Sequence, residues 1–128
     1  MSSETFNILN RTKHALPRLP FLQIKNEVLG EKYDLSLVFC GSTLSRRLNR
    51  ERRDKDKPAN ILSFPLSDTT GEIFIDIGHA SKQAHLFERT PEKFLAFLVI
   101  HGLHHLKGME HGSTMELREE NVRKKFHI

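Results

Sequence analysis

The chain has 128 residues, of which 38% are hydrophobic and 28% are charged, and it contains one cysteine. This length suits a single domain with its own core, and the charged fraction argues against wholesale disorder. The longest unbroken apolar run covers only residues 94–100, which argues against a membrane protein. We expect one cytoplasmic domain over residues 1–128, because the first residues contain no apolar signal segment and a lone cysteine cannot form an internal disulfide.

The first half of the chain alternates between strand and helix patterns. In chain order it predicts a strand at Phe6–Asn10, a helix at 20–29, a strand at 33–40, a helix at 42–51 and two strands at 60–66 and 72–77. Ser42 is placed to cap the second helix, and Pro58 ends regular structure after it. Cys40 falls in a predicted strand, where a free cysteine is usually a small buried apolar residue.

The second half is predicted to be helical. A helix is expected at 80–88, and the next one begins at Thr90, a suitable N-cap, and ends at Gly108. Because this helix is apolar nearly all round, we expect it to be central and buried. A last helix is predicted at 114–125, with Ser113 opening a capping box. The mixed order of strands and helices predicts an α+β (mixed α/β) domain.

The net charge of +4 is concentrated in residues 46–57. This stretch holds seven basic and three acidic side chains, so the rest of the chain is balanced. It is either a solvated helix end with internal ion pairs or a patch for a phosphate backbone, where Lys and Arg release condensed counterions. No aromatic residue that would stack on a base lies within it, so charge alone does not decide between the two.

Four of the eight histidines fall between residues 101 and 111. His101 and His105 are one helical turn apart and project from the same face, where they can bind one metal ion. Gly108 then ends the helix, so that a reversing chain can bring His111 to the same ion. Three protein ligands with an open fourth position are typical of a catalytic zinc site. His104 is a competing ligand, but the spacing of the other three matches the metzincin pattern better.

Gly102 separates this motif from that of the metalloproteases, which carry Glu directly after the first histidine as general base. Peptide hydrolysis by that route therefore lacks its proton acceptor. A lone histidine on such a helix is usually an ordinary surface or core residue. Three of them at this spacing, on an otherwise apolar helix where unpaired polar groups are costly, favour a metal site.

These residues resemble the YbeY family of bacterial metal-dependent endoribonucleases, the rRNA maturation factors. The family signature is similar to H-G-x-x-H-L-x-G-x-[DE]-H, and residues 101–111 read HGLHHLKGMEH. A block close to L-N-x-x-Y-R-x-x-D-x-P-T-[ND]-V-L-S-F-P is matched by residues 48–65, LNRERRDKDKPANILSFP, and G-[DE]-I-x-I by residues 71–75, GEIFI. Arg52 replaces the usual tyrosine and Ala59 the usual threonine, which bears on substrate fit rather than on the metal ligands.

The resemblance implies a mainly four-stranded mixed sheet packed with helices and a metal site at the central helix. It also implies a single-strand-specific endoribonuclease that acts in 16S rRNA 3′-end maturation and ribosome quality control. By position, His101, His105 and His111 would bind one metal ion, taken as Zn²⁺, and Arg53 would be the catalytic arginine. The implied partners are single-stranded rRNA and the ribosome or its proteins, with no membrane.

Our hypothesis is hydrolysis of an RNA phosphodiester by water that the metal activates, with Arg53 binding a phosphate oxygen. Glu110 is the nearest carboxylate in sequence; it is either the base or, as we favour, the group that holds a ligand histidine from behind. The other basic side chains of the stretch are predicted to bind RNA: Arg46, Arg47, Arg50, Arg52, Lys55 and Lys57.

Several alternatives stay open. The protein can be a non-catalytic ribosome assembly or RNA-binding factor with a structural metal, or a metallohydrolase of another substrate class. Three imidazoles also suit zinc, nickel and copper alike, so the sequence does not choose the metal.

Overall fold

The computed structural model describes residues 5–128, and the expectation about the first residues of the chain lies partly outside this range. Within the described residues, four strands and five α-helices follow one another. They are β1 (Phe6–Asn10), α1 (Phe21–Leu29), β2 (Asp34–Cys40), α2 (Ser42–Arg53), β3 (Ile61–Ser67), β4 (Thr70–Asp76), α3 (Ile77–Gln83), α4 (Pro91–Leu106) and α5 (Ser113–Phe126).

The strands form one mixed sheet in the order β1-β2-β4-β3. β1 pairs with β2, and β2 with β4, in parallel, whereas β3 is antiparallel to β4. β3 and β4 are consecutive and joined only by a turn at Asp68 and Thr69, so they form a hairpin; parallel neighbours need longer crossovers, which the helices supply. The predicted four-stranded mixed sheet of an α+β domain is confirmed.

The core lies where α4 packs against the sheet. Leu35, Leu37 and Phe39 alternate along β2 and are at most 1% exposed. They share one apolar cluster with Val99 and Leu103 of α4, which is the central buried helix that its apolar sequence predicts. Because α4 also carries the histidines, the core fixes the position of the candidate site.

The close approach of α4 to β3 depends on Gly102. A Cβ atom at this position would lie 2.6 Å from Cδ1 of Ile61 and 2.9 Å from Oγ of Ser63. The Ser63 hydroxyl donates a hydrogen bond to the carbonyl oxygen of Gly102 at 3.3 Å. Any larger residue must therefore push the helix away from the strand or displace these side chains.

The helix α2 extends two residues beyond the predicted end, to Arg53. Asp54 takes the left-handed conformation that ends it, with φ 56°, and its N–H donates to the carbonyl of Arg50. Basic side chains in the last turn are also favourable near the negative end of the helix dipole. Arg53 is consequently held on a helix rather than in a loop.

Two expected N-caps and one expected helix start are wrong. Ser42 does not cap α2: Gly41 is the N-cap, and the Ser42 hydroxyl donates to the carboxylate of Asp76 instead. Gly112 likewise takes the N-cap of α5, so Ser113 is its first helical residue and makes no capping hydrogen bond. The helix expected from residue 80 begins at Ile77, because Asp76 caps it, and its second part, Ala84–Phe87, is a 3₁₀ helix.

Within residues 5–128, no helix combines the length and the apolar character needed to cross a bilayer.

Cys40 ends β2 and is 1% exposed, in agreement with its assignment as a small buried apolar residue. Burial, reinforced by the nearby carboxylate of Asp76, raises the pKa of its thiol to about 11. Since the thiolate is the reactive form, only about one molecule in a thousand carries it at pH 8.

We therefore expect iodoacetamide to label the native chain at pH 8 more than about 100-fold more slowly than the chain unfolded in guanidinium. Mass spectrometry of the intact chain measures both rates, and the single cysteine leaves no competing thiol. Equal rates would contradict the buried position of Cys40.

The contact at Gly102 predicts that Gly102→Ala destabilises the chain. Alanine gains about 1 kcal/mol of helix propensity, but overpacking costs about 1–3 kcal/mol, so we expect a net loss of about 1 kcal/mol in urea unfolding. Gly78→Ala in α3 is the control, because its nearest neighbour, Nε2 of His14, is 3.4 Å away. A gain in stability for Gly102→Ala would contradict the proposed close contact.

Candidate metal centre

Three histidines meet at the end of α4. His101 and His105 lie on its last turns with their Nε2 atoms 3.0 Å apart. The ring of His111 lies 5.0 Å from that of His101 and 4.6 Å from that of His105, measured between centroids. One nitrogen from each ring lies within 4.8 Å of the other two, so the group can hold a metal ion.

A glycine reverses the chain between the second and third histidine. Gly108 has φ 91°, in the left-handed region that favours glycine, and its N–H donates to the carbonyl of His105 at 2.9 Å. The N–H of Met109 then donates to the carbonyl of His104 at 3.1 Å. These two bonds close the end of the helix and turn the chain back, which brings His111 to the other two histidines as the spacing predicts.

A buried carboxylate on α5 orients the first histidine. Glu119 is 4% exposed, and its Oε1 accepts a hydrogen bond from Nδ1 of His101 at 2.8 Å. The proton therefore lies on Nδ1, and the lone pair of Nε2 points toward the other histidines. This is the arrangement in which a carboxylate partner fixes the tautomer of a metal-binding imidazole.

Glu110 does not have this role, and the expectation that it holds a histidine is wrong. Glu110 is exposed and makes no hydrogen bond or ion pair with any residue in the range 5–128. It lies beside His111 in sequence but on the turn, where its side chain points to solvent. The sequence does contain a signal for Glu119, because it is an acidic residue that lies with the apolar residues Met115, Val122 and Phe126 on the core-facing side of α5.

His104 is not part of the group. It is 3% exposed, and its Nδ1 donates to the carbonyl of Ile100 at 2.8 Å. His104 is three residues after His101 and His105 is four, so their side chains leave the helix in clearly different directions. The ring of His104 therefore enters the core, while that of His105 faces the cleft. Burial lowers the pKa of His104.

The donor set fits one divalent ion. Burial and then the neighbouring His101 and His111 lower the pKa of His105, which favours the neutral imidazole that a metal requires. With zinc–nitrogen bonds of about 2.0–2.1 Å, two imidazole nitrogens of a tetrahedral site lie about 3.3 Å apart. The 3.0 Å between the Nε2 atoms of His101 and His105 is close to this value. Three nitrogens leave a fourth position open.

The open side of the group faces a cleft of about 460 Å³. It is lined by Arg53, Ile61, Leu62, Ser63, His101, His105 and His111. Arg53 reaches it from the last turn of α2, and its guanidinium makes no hydrogen bond or ion pair elsewhere in the described part of the chain. The structure thus brings together the arginine and the three histidines that lie about fifty residues apart in sequence.

The rest of the basic stretch falls into three groups. Arg46 and Arg50 share Asp56, with nitrogen–oxygen distances of 2.8 and 3.6 Å, and the hydrogen bond from Arg46 lowers the pKa of that carboxyl. The guanidinium carbon of Arg52 lies 4.8 Å from the centroid of Phe64. No ion pair engages Arg47, Lys55 or Lys57 within residues 5–128. Internal pairing therefore accounts for part of the stretch, and the remainder is available to a ligand.

A mixed α/β domain with a three-histidine group and a free arginine in one cleft has the features of a hydrolase with a metal centre. The family model described as Endoribonuclease YbeY matches residues 3–127. The chain therefore belongs to the YbeY family of endoribonucleases, as its motifs predict.

Relatives support this assignment. Endoribonuclease YbeY of Halalkalibacterium halodurans is 32% identical over 111 residues, which covers 70% of each protein. Endoribonuclease YbeY of Listeria monocytogenes is 32% identical over 140 residues, which covers 93% of this chain and 84% of that protein. The solution structure of a Thermotoga maritima protein has the same fold, with a TM-score of 0.64 and 24% identity over 95% of this chain and 91% of that one.

The hydrogen bond between Glu119 and His101 predicts a difference between two similar variants. We expect Glu119→Gln to weaken zinc binding about 10-fold or more, because the imidazole loses its charged partner. Glu110→Gln removes the same charge from the exposed turn and is expected to leave the affinity unchanged. Competition with a coloured zinc chelator measures both. Equal losses in the two variants would contradict the role of Glu119.

Proposed function

We propose that the chain is a metal-dependent endoribonuclease of single-stranded RNA, with one zinc ion held by His101, His105 and His111. The observation that carries the proposal is that the open side of the histidine group and the unpaired guanidinium of Arg53 share one cleft. A phosphodiester bound in this cleft contacts both the histidine group and the guanidinium of Arg53.

Held by His101, His105 and His111, a zinc ion would lower the pKa of a water molecule and polarise a phosphoryl oxygen. The chain itself supplies the orientation of the imidazoles, through the Nδ1–H of His101 bonded to Glu119. It also supplies the planar cation of Arg53, which can bind two phosphate oxygens at once and stabilise the charge that develops on them. Because no carboxylate neutralises Arg53 in the described part of the chain, this charge is available to the substrate.

The residues that line the cleft include no carboxylate. Ser63 is its remaining polar side chain, and its hydroxyl donates to the Gly102 carbonyl. The cleft therefore offers no carboxylate base of the metalloprotease type, and the contacts of Gly102 leave no room for a larger side chain in its place. This opposes the alternative of a peptide hydrolase. For an RNA substrate, the nucleophile is either water or the 2′-hydroxyl of the substrate itself.

The basic stretch that ends α2 supports an RNA substrate, since Arg47, Lys55 and Lys57 are free of ion pairs in residues 5–128. We extend the proposal, on the family relationship, to 16S rRNA 3′-end maturation and ribosome quality control. On the same basis it includes the ribosome or its proteins as partners, a cytoplasmic location and one functional domain over residues 1–128.

Two variants test the proposal. The wild-type chain, purified without an affinity tag, is expected to contain about one zinc per chain by mass spectrometry. His105→Ala is expected to lose both the zinc and the cleavage of single-stranded RNA. Arg53→Ala is expected to keep the zinc and to cleave about 100-fold more slowly, because it removes only the charge on the phosphate. Arg18→Ala is the control, because Arg18 does not line the cleft.

Cleavage that persists in His105→Ala after zinc is removed would overturn the proposal. A loss of zinc in Arg53→Ala would show instead that the arginine supports the fold of the centre. The ends of the products identify the nucleophile: linear phosphate ends support attack by water, and a 2′,3′-cyclic phosphate excludes it.

A further inference from the structure

A second cleft lies on the α5 side of the histidine group. It has a volume of about 380 Å³ and shares His101 and His111 with the first cleft. Its other lining residues are Arg89, Phe97, Gly112, Met115, Glu116, Glu119, Glu120 and Arg123. The histidines therefore stand between two openings, with Arg53 in one and two further arginines in the other.

The two arginines rest against a single aromatic ring. The guanidinium carbon of Arg89 lies 4.3 Å, and that of Arg123 5.2 Å, from the centroid of Phe97. Phe97 in turn stacks on His101, with centroids 6.3 Å apart and planes within 6°. Cation–π contacts thus hold two planar cations next to a histidine of the metal centre.

Neither arginine has an anionic partner within residues 5–128. Nη1 of Arg123 is buried and makes no hydrogen bond, and Arg89 donates only to the carbonyl of Phe87, at 3.3 Å. A guanidinium without an acidic partner keeps unused N–H donors, and both arginines line the cleft, so an anionic ligand there can supply the acceptors.

The carboxylates in the same cleft do not fill this need. Glu119 accepts from His101 at 2.8 Å, and Glu120 pairs with Lys124 at 3.0 Å. Glu116 is exposed on the first turn of α5 and makes no ion pair in the part of the chain described. Glu116 and Glu119 match the charge of the two arginines, because the imidazole bonded to Glu119 is neutral. Within the described residues neither guanidinium is bonded to a carboxylate, however, so both keep N–H donors for an anionic ligand.

We propose that Arg89 and Arg123 form a second phosphate-binding subsite for single-stranded RNA. This inference rests on the proposed function. The strand crosses the histidine group with one phosphate at Arg53 and another phosphate of the same strand at Arg89 and Arg123. The planar guanidinium groups bind phosphate oxygens in pairs, and the subsite positions the RNA on the α5 side of the centre.

The test measures RNA binding by the full-length, zinc-loaded chain. The probe is a fluorescein-labelled 2′-O-methyl dodecauridylate, followed by fluorescence anisotropy over a range of potassium chloride concentrations, with its integrity checked on a gel. We expect Arg123→Gln to weaken binding about 10-fold, and Arg89→Gln to do the same. The slope of log affinity against log salt is expected to fall by about 0.7 for each phosphate that a variant no longer binds.

Arg118→Gln is the matched control, because it removes the same charge from the exposed surface of α5 and Arg118 lines neither cleft. It is expected to keep the wild-type affinity and salt slope. Zinc content and thermal melting of each variant show whether the centre and the fold are retained. If Arg123→Gln does not fold, Arg89→Gln decides the question, since it leaves the half-buried Arg123 in place.

Two results would overturn the inference, and they are distinguishable. If Arg53→Gln weakens binding while Arg89→Gln and Arg123→Gln behave like Arg118→Gln, the subsite is wrong and the proposed function stands. If the wild-type chain does not bind the probe and does not cleave single-stranded RNA, the proposed function fails and the subsite fails with it.

Discussion

The packing of α4 against β3 is the constraint on which the site depends. At Gly102 the helix lies so close to the strand that a Cβ atom would come within 2.6 Å of Ile61. This packing sets His101, one residue earlier, and His105, one turn later, beside the beginning of β3, where Arg53 also arrives from α2. The motif thus requires glycine at this position because the strand leaves no space for a side chain. The same lack of space excludes the glutamate that a metalloprotease carries there.

The hydrogen bond between Glu119 and His101 joins the site to the end of the chain. A carboxylate as buried as Glu119 is stable only with a good partner, and Nδ1 of His101 is that partner at 2.8 Å. The bond therefore serves the fold and the chemistry together: it satisfies the carboxylate and it turns Nε2 toward the group. For this reason α5 is part of the centre although it contributes none of the three histidines.

Local patterns in the sequence predict the elements and the histidine group well, and long-range contacts less well. The alternation of apolar residues predicts the strands, Thr90 and Gly108 predict the ends of α4, and the spacing of the histidines predicts their group. The partner of His101 does not, because Glu110 is near in sequence and Glu119 is near only after α5 folds back. The predicted N-cap of α2 is wrong for a similar reason: Ser42 bonds to Asp76, a residue on another element, instead of capping its own helix.

Both clefts are lined by arginine side chains that make no ion pair in the described residues. Part of the basic stretch is neutralised, since Arg46 and Arg50 share Asp56, whereas Arg53, Arg89 and Arg123 make no ion pair in residues 5–128. Guanidinium groups that no carboxylate binds directly are thus found on both sides of the histidines in the described part of the chain. A polyanion with phosphates at regular intervals satisfies this arrangement along its length, whereas a small anion satisfies only one side at a time. The geometry of the centre therefore favours a polymeric phosphodiester over a small phosphate ester.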